Sequence, residues 1–148
     1  MVWAIYQYAC GLTPARFMGA MAGLNQARRR MGTYFTRHDI WLTPTTPNVA
    51  EPWGRYHLGH RDVSVDEMAA RILAPVCQHT LPHNAMGTPA LSLPLAMHTD
   101  GLPIGVQLAA APAAEHLLLQ LGTALEEALP WRERVPPLHV TRLAGGAS

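Results

Sequence analysis

The chain has 148 residues and a formal net charge of +1, and 14% of its residues are charged, against an average of about 25% in soluble domains. Its hydrophobic fraction of 49% excludes a disordered, highly charged tail, and the near-neutral charge argues against a nucleic-acid partner. No apolar run reaches the roughly 18 residues that a membrane-spanning helix needs. We therefore expect one globular unit with neither a nucleic-acid nor a membrane partner.

Two features of the composition limit the chemistry of this sequence. All 11 basic residues are Arg, so there is no Lys, and Ser occurs only at positions 64, 92 and 148. A mechanism that needs a lysine base, a Schiff-base amine or a P-loop Lys is thereby excluded within these residues. Residues 1–10 lack the basic start of a signal peptide, and Cys10 and Cys77 are too few for a disulfide scaffold. These features are typical of a reduced, cytoplasmic protein.

The first half of the chain predicts a long helix followed by a short strand. Thr13 before Pro14 is a good helix start, and apolar residues then recur near the helical period over residues 14–37. Arg28, Arg29 and Arg30 fall inside this helix, and we interpret them as a solvated face. Residues 40–42 have strand character, and the prolines that follow predict an extended loop before an irregular connection at residues 53–61.

The second half of the chain predicts a capped helix, a hairpin and a leucine-rich helix. Ser64 and Glu67 form a capping box, and Pro75 is expected to kink or end the helix behind them. Asn84 and Gly87 predict a turn with positive φ.

Residues 88–108 alternate as a β-hairpin around the turn at residues 100–101, with Pro94 at an edge or a bulge. Pro112 is expected to open a helix that Pro130 closes, and residues 131–148 are expected to run along the surface.

The candidate catalytic and metal-binding residues are few. Cys77, His79 and His83 are the densest set of metal-capable side chains, but no fourth ligand completes them, so we expect no metal and no cofactor. Ser92 lacks the Gly-x-Ser-x-Gly environment of a strained nucleophile and is interpreted as a strand residue. Ser64 is occupied as a helix cap, and His57 and His60 are interpreted as surface imidazoles. We therefore predict no catalytic residue in this chain.

Five blocks of sequence, in order, resemble the C-terminal end of the amidase-signature family. They are Asp39-Ile-Trp-Leu-Thr-Pro44-Thr, His83-Asn84-Ala-Met86-Gly87-Thr-Pro89-Ala90, Ser92-Leu-Pro94 with Gly101-Leu-Pro-Ile-Gly-Val-Gln107, Glu115-His-Leu-Leu118, and the tail Pro130-Trp131-Arg-Glu-Arg134-Val-Pro-Pro137. The resemblance as a whole extends over residues 13–140. The sequence departs from the family pattern at His83, where the family has an aromatic residue, and at Met86, where it has Thr.

The resemblance implies an α/β fold: part of the mixed amidase-signature sheet flanked by helices, here a β-hairpin with about three helices. Residues 1–148 would form a single partial domain, the C-terminal part of an amidase domain. The family's Ser–cis-Ser–Lys triad lies in its N-terminal half, and no position here matches it. The resemblance carries over only a substrate-lining role for Asn84, Met86 and Gly87.

The expected function is that of a truncated C-terminal segment of an enzyme that hydrolyses carbon–nitrogen amide bonds, inactive alone because the triad is missing. Its expected partner is an N-terminal amidase segment, or a second copy that covers exposed apolar faces. An alternative of a different class is a non-enzymatic binding or dimerisation module derived from the same fold.

Overall fold

The computed structural model describes residues 2–56, 63–136 and 138–139. The helices are α1 (Val2–Cys10), α2 (Pro14–Phe35), α3 (Val65–Met68), α4 (Ala74–Cys77), α5 (Leu81–Met86) and α6 (Glu115–Ala128). The strands are β1 (Trp41–Pro44), β2 (Ala90–Met97) and β3 (Pro103–Ala109). A π-helical turn, Ala69–Leu73, joins α3 to α4, and a 3-10 turn, Trp131–Glu133, follows α6. The expected α/β class is confirmed.

The three strands form an antiparallel sheet in the order β1-β3-β2. The predicted hairpin is confirmed, and Gly101 supplies the positive φ of its turn. The register between β2 and β3 shifts between Leu93 and Ala96, which places a bulge at Pro94 on an edge strand. Proline cannot donate to a sheet ladder, so an edge position with a bulge accommodates it, as predicted.

The two faces of the sheet differ in polarity. Residues paired directly across strands share a face, so Leu108 of β3 lies on the same face as Leu91 of β2. Helix α6 covers this face, and Leu118 and Gly122 of that helix are buried. The core is the cluster Leu108, Ala110 and Leu118, with Ile40, Leu91, Leu93, Ala114, Leu121 and Leu125 packed against it. The opposite face carries the paired polar side chains of Thr43, Gln107 and Ser92 next to Trp41. We call it the polar face, and it contributes to the site described below.

Two predicted helix starts are confirmed. Helix α2 begins at Pro14, where the Thr13 hydroxyl accepts a hydrogen bond from the amide of Arg16 at 3.3 Å, and it ends two residues earlier than predicted. The Ser64 hydroxyl accepts from the amide of Glu67 at 3.2 Å, which is the serine half of the predicted capping box. The carboxylate of Glu67 lies 2.6 Å from the guanidinium of Arg71, one turn later.

Pro75 does not end the helix behind Ser64, because helical structure continues past it to Cys77. Proline has no N–H to donate, and its ring crowds the carbonyl four residues earlier. The π-helical turn ahead of it changes the hydrogen-bond register, and the amide of Ala74 donates to the carbonyl of Ala69. In a π turn each amide donates to the carbonyl five residues earlier instead of four. This shift in the hydrogen-bond pattern lets the helix continue through Pro75.

Several sequence-based expectations need correction. Helix α6 begins at Glu115 and not at Pro112, because the backbone at Ala113 has a φ of 65° and cannot be helical there. Helices α1 and α5 were not predicted, so the described chain contains more than the expected three helices. Helix α5 contains Asn84, which leaves Gly87 alone with the positive φ predicted for that turn.

Some predictions fall partly or wholly outside the described residues. They are the irregular connection at residues 57–61, with His57 and His60, and the surface course of position 137 and residues 140–148. Within the described ranges, no helix has the length and apolarity needed to cross a bilayer.

Candidate functional site

The predicted substrate-lining residues lie together at the C-terminal end of α5. We call residues 84–88 the α5 end. Gly87 adopts the left-handed conformation with φ 73°, and its amide donates to the carbonyl of His83 at 2.9 Å. Asn84 and Gly87 are exposed, and Met86 is half-buried. The structure therefore brings the three residues to one surface, and their role in binding a substrate stays a prediction.

His83 is buried beneath the α5 end, with 4% of its surface exposed. Its Nδ1 atom lies 2.8 Å from the hydroxyl of Thr88, and the ring of Trp41 meets the imidazole edge-on with 5.8 Å between centroids. Burial lowers the pKa of His83 below its ordinary value of 6.5, because a charged imidazole would lose its hydration. A neutral His83 therefore anchors α5 to β1.

Helix α5 is also attached to α2. The guanidinium of Arg28 donates from Nη2 to the carbonyl oxygen of Ala85 at 3.1 Å. A cation at a helix C-terminus satisfies a carbonyl that has no partner within the helix and complements the helix dipole. Arg28, Arg29 and Arg30 are exposed as predicted, and no pattern in the sequence indicated that Arg28 would contact α5.

The polar face of the sheet lies beside α5 and contains an amide and three hydroxyls. Gln107 of β3 pairs in register with Thr43 on one side and Ser92 on the other. Its Nε2 atom donates to the carbonyl of His79 at 2.9 Å and to the hydroxyl of Thr43 at 3.3 Å. Sequence reasoning missed Gln107 as a site residue. Its only signal was a polar residue inside an otherwise apolar strand.

The hydroxyl of Ser92 lies 2.5 Å from the hydroxyl of Thr45. A serine nucleophile needs a base as its hydrogen-bond partner, and a threonine hydroxyl is not one. Ser92 lies within β2, which confirms its interpretation as a strand residue. A Cβ at Gly105 would approach the Thr45 hydroxyl to 2.8 Å, so the glycine makes room for this hydroxyl pair.

The three metal-capable residues of the sequence do not form a shared site. Cys77 ends α4, and His79 lies in the connection to α5. The Nδ1 atom of His83 is hydrogen-bonded to the hydroxyl of Thr88. Among the residues that the structure describes, no three His, Cys, Asp or Glu side chains gather where they could hold a metal ion.

Comparison with known proteins identifies the family. A family model described as "Amidase" matches residues 8–119. A glutamyl-tRNA(Gln) amidotransferase subunit of Moorella thermoacetica is 36% identical over 135 residues, which are 91% of this chain and 26% of that protein. The 6-aminohexanoate-cyclic-dimer hydrolase of Pseudomonas sp. (strain NK87) is 56% identical over 106 residues, which are 68% of this chain and 21% of that protein.

The solved structures agree with the sequence comparison. The structure of a 6-aminohexanoate cyclic dimer hydrolase superposes with a TM-score of 0.78 at 31% identity, covering 91% of this chain and 29% of that one. A crystal structure of an amidase superposes with a TM-score of 0.63 at 27% identity, covering 83% of this chain and 27% of that one. The chain spans about a quarter of the length of the relatives it matches. On the family match, the shared blocks and the shared fold, this chain belongs to the amidase family.

Proposed function

We propose that this chain forms the C-terminal section of an amidase-signature enzyme that hydrolyses carbon–nitrogen amide bonds. The similarity to a 6-aminohexanoate-cyclic-dimer hydrolase, at 56% identity, supports an aliphatic amide as substrate. In this proposal the sheet and α6 are scaffold, and the α5 end forms part of the substrate wall. The chain then acts with an N-terminal amidase segment as its partner.

The proposal rests on one observation: the chain matches the amidase family but lacks the lysine that the family uses as its catalytic base. Residues 8–119 match the amidase family, whereas the 148 residues contain no Lys. The amidase-signature triad uses Lys as its base, and a serine hydroxyl without a base is a poor nucleophile. The groups that break the amide bond are therefore supplied by sequence other than these residues, and this chain alone is inactive.

The α5 end suits a wall that orients an amide substrate. The exposed carboxamide of Asn84 can both donate and accept hydrogen bonds, which matches the N–H and C=O of an amide. Met86 offers a flexible apolar surface to an aliphatic chain. Gly87 leaves the backbone open to close approach.

The first test of the proposal is an assay of the purified chain. With 6-aminohexanoate cyclic dimer as substrate, hydrolysis should not exceed that of buffer, and a fluorophosphonate probe should form no covalent adduct. Hydrolysis or adduct formation by the chain alone would overturn the proposal.

The second test is a chimera in which residues 8–119 replace the matching segment of the Pseudomonas hydrolase. We expect the chimera to hydrolyse the cyclic dimer, and the same chimera with the hydrolase's catalytic Lys changed to Ala to be inactive. A folded chimera that lacks activity while the parent hydrolase retains it would contradict the substrate-wall role.

A second candidate, a dimerisation module, is favoured by exposed apolar side chains on the first two helices. Trp3 and Tyr6 of α1 stack on each other with centroids 5.4 Å apart, and both are more than half exposed. Phe17 and Met18 of α2 are exposed to a similar degree. Apolar surface of this kind drives association, and the self-association measurement in the Discussion separates this candidate from the first.

We also propose a cytoplasmic location for the protein. Both Cys10 and Cys77 are free thiols, which is typical of a reducing compartment. Fractionation of cells that express the tagged chain tests this, and recovery outside the cytoplasmic fraction would contradict it.

A further inference from the structure

Gln107 connects three elements around the candidate site. It lies in β3, and its Nε2 atom donates to Thr43 of β1 and to the carbonyl of His79, between α4 and α5. Its surface is 3% exposed, so bulk water does not compete for these bonds. A carboxamide nitrogen carries two protons, and both are used here. Removing this group would leave the His79 carbonyl without this donor.

The His79 carbonyl lies two residues before α5 begins. At the other end of α5, the chain enters β2, where Ala90 pairs with Ala109 of β3 and the amide of Ala110 donates to the carbonyl of Pro89. Both ends of α5 are therefore fixed to β3. Backbone hydrogen bonds between β2 and β3 fix the C-terminal end of α5. The side chain of Gln107 fixes the N-terminal end through the carbonyl of His79.

We infer that Gln107 is a positioning residue, which sets the placement of α5 on the sheet and thereby that of Asn84, Met86 and Gly87. Gln107 does not need to contact a substrate for this role. The geometric part of the inference concerns this chain alone. Its catalytic consequence rests on the proposed function, because only a substrate wall makes the placement of the α5 end matter for turnover.

Amide hydrogen exchange on the 148-residue chain tests the geometric part. Gln107→Met keeps a side chain of similar length and removes the donor. Exchange should become roughly 2- to 12-fold faster at Thr80 and Asn84, the factor that corresponds to one neutral hydrogen bond. The Thr80 amide belongs to the same peptide unit as the His79 carbonyl and donates to the carbonyl of Cys77, and the Asn84 amide donates to the carbonyl of Thr80. Exchange at Ala110 and in α6 should stay unchanged.

Two variants serve as comparisons. Thr43→Val removes one of the two acceptors of Gln107 and leaves the His79 carbonyl, so it should raise exchange at Thr80 and Asn84 less than Gln107→Met does. Ser92→Ala removes the hydroxyl of the β2 residue that pairs with Gln107 in the sheet register. It should leave exchange at those amides unchanged. A uniform rise over the whole chain, or no rise at Thr80 and Asn84, overturns the inference. Loss of cooperative unfolding in Gln107→Met also overturns the inference, because the residue would then support the whole fold and not the placement of α5 alone.

The chimera with the Pseudomonas hydrolase tests the catalytic part. Gln107→Met should raise KM for the cyclic dimer roughly 2- to 12-fold and leave kcat within about twofold, the pattern of lost binding rather than lost chemistry. Unchanged KM despite faster local exchange overturns the positioning role in catalysis. An inactive parent chimera overturns the proposed function instead, and the exchange result then decides the geometric inference by itself.

Discussion

At the scale of single residues, the buried polar groups of the described chain gather around α5. His83, Thr88 and Gln107 are the buried polar residues of the described chain. His83 and Thr88 pair with each other, and Gln107 pairs with Thr43 and with the carbonyl of His79. Buried polar groups cost free energy unless they are paired. The buried polar groups around α5 are therefore paired, as burial requires.

The first prediction concerns the pH dependence of stability. The pKa of His83 lies below 6.5 in the folded chain because of burial, so the unfolded chain binds more protons as the pH falls below 6.5. The contribution of neutral His83 to stability is therefore complete above pH 6.5 and is lost as the pH falls from there toward the folded pKa. Urea unfolding at pH 8 and pH 5.5 should show a lower free energy of unfolding at the acid pH.

The control for this prediction is a pair of matched variants. His83→Gln should reduce the pH dependence and, by leaving Thr88 without its imidazole partner, lower the free energy of unfolding at pH 8 by about 1–3 kcal/mol. His116→Gln, at an exposed residue of α6, is the matched substitution of a histidine outside this contact. An unchanged pH dependence in His83→Gln would contradict this assignment.

The second prediction concerns Gly105. A Cβ at this position would lie 2.8 Å from the hydroxyl oxygen of Thr45 and 3.2 Å from that of Ser92. Gly105→Ala should therefore lower the free energy of unfolding by about 1–3 kcal/mol, as overpacking does. Gly23→Ala, in α2, meets nothing within 4 Å and should instead stabilise by about 0.5–1 kcal/mol. Equal effects of the two variants in thermal or urea unfolding would be inconsistent with the crowding.

At the scale of elements, the helix that begins at Val65 depends on its two ends. Ser64 caps the start, and Pro75 is accommodated by the π-helical turn before α4. A four-residue α3 has little intrinsic stability, because most of its amides have no partner within the helix. We therefore expect the cap to contribute disproportionately to this element.

The third prediction is a test of that cap. Ser64→Ala should lower the free energy of unfolding by about 0.5–2 kcal/mol, and Ser64→Asp should restore most of the loss, because its carboxylate can also accept from the Glu67 amide. The measurement is urea unfolding followed by circular dichroism. If Ala and Asp at position 64 give the same stability, the cap is not the reason for the effect.

At the scale of the whole molecule, the apolar core is small relative to the apolar surface that stays exposed. The core cluster contains three buried residues, whereas Val2, Trp3, Tyr6, Phe17, Met18, Leu42, Trp53, Leu119 and Leu138 are all more than half exposed. Leu42 lies on the α6-covered face of the sheet, at the edge strand β1, but α6 leaves it uncovered. In the proposed enzyme, other parts of the amidase domain cover these side chains.

The fourth prediction follows from this exposed surface. If the chain is a dimerisation module, sedimentation velocity should show a discrete dimer with a cooperative melt, and Trp3→Glu with Phe17→Glu should convert it to monomer. If it is a section of a larger amidase domain, it should form a heterogeneous range of sizes, and the N-terminal segment of the Pseudomonas hydrolase should convert these into one defined complex. The control is Gln7→Glu, an exposed polar position of α1, which should leave the dimer intact.

Local signals in the sequence determined much of the fold. Thr13-Pro14 and Ser64 mark helix starts because their hydroxyls satisfy amides only a turn away. The alternation around residues 91–108 predicts the hairpin because its turn joins neighbouring strands. The ordered sequence blocks also resembled the family. The helix caps and the hairpin turn each join residues that are close in sequence. The strands follow from an alternation of side chains that repeats along the chain.

Tertiary structure decided the rest, because the deciding contacts join residues far apart in sequence. The pairing of β1 with β3 joins Thr43 to Gln107, and only that pairing creates the polar face beside α5. Helix α5 has six residues, too few to be stable from local propensity alone, and it is held by Gln107, Trp41 and Arg28. The burial of His83 and the role of Gln107 likewise depend on contacts that no spacing in the sequence reveals.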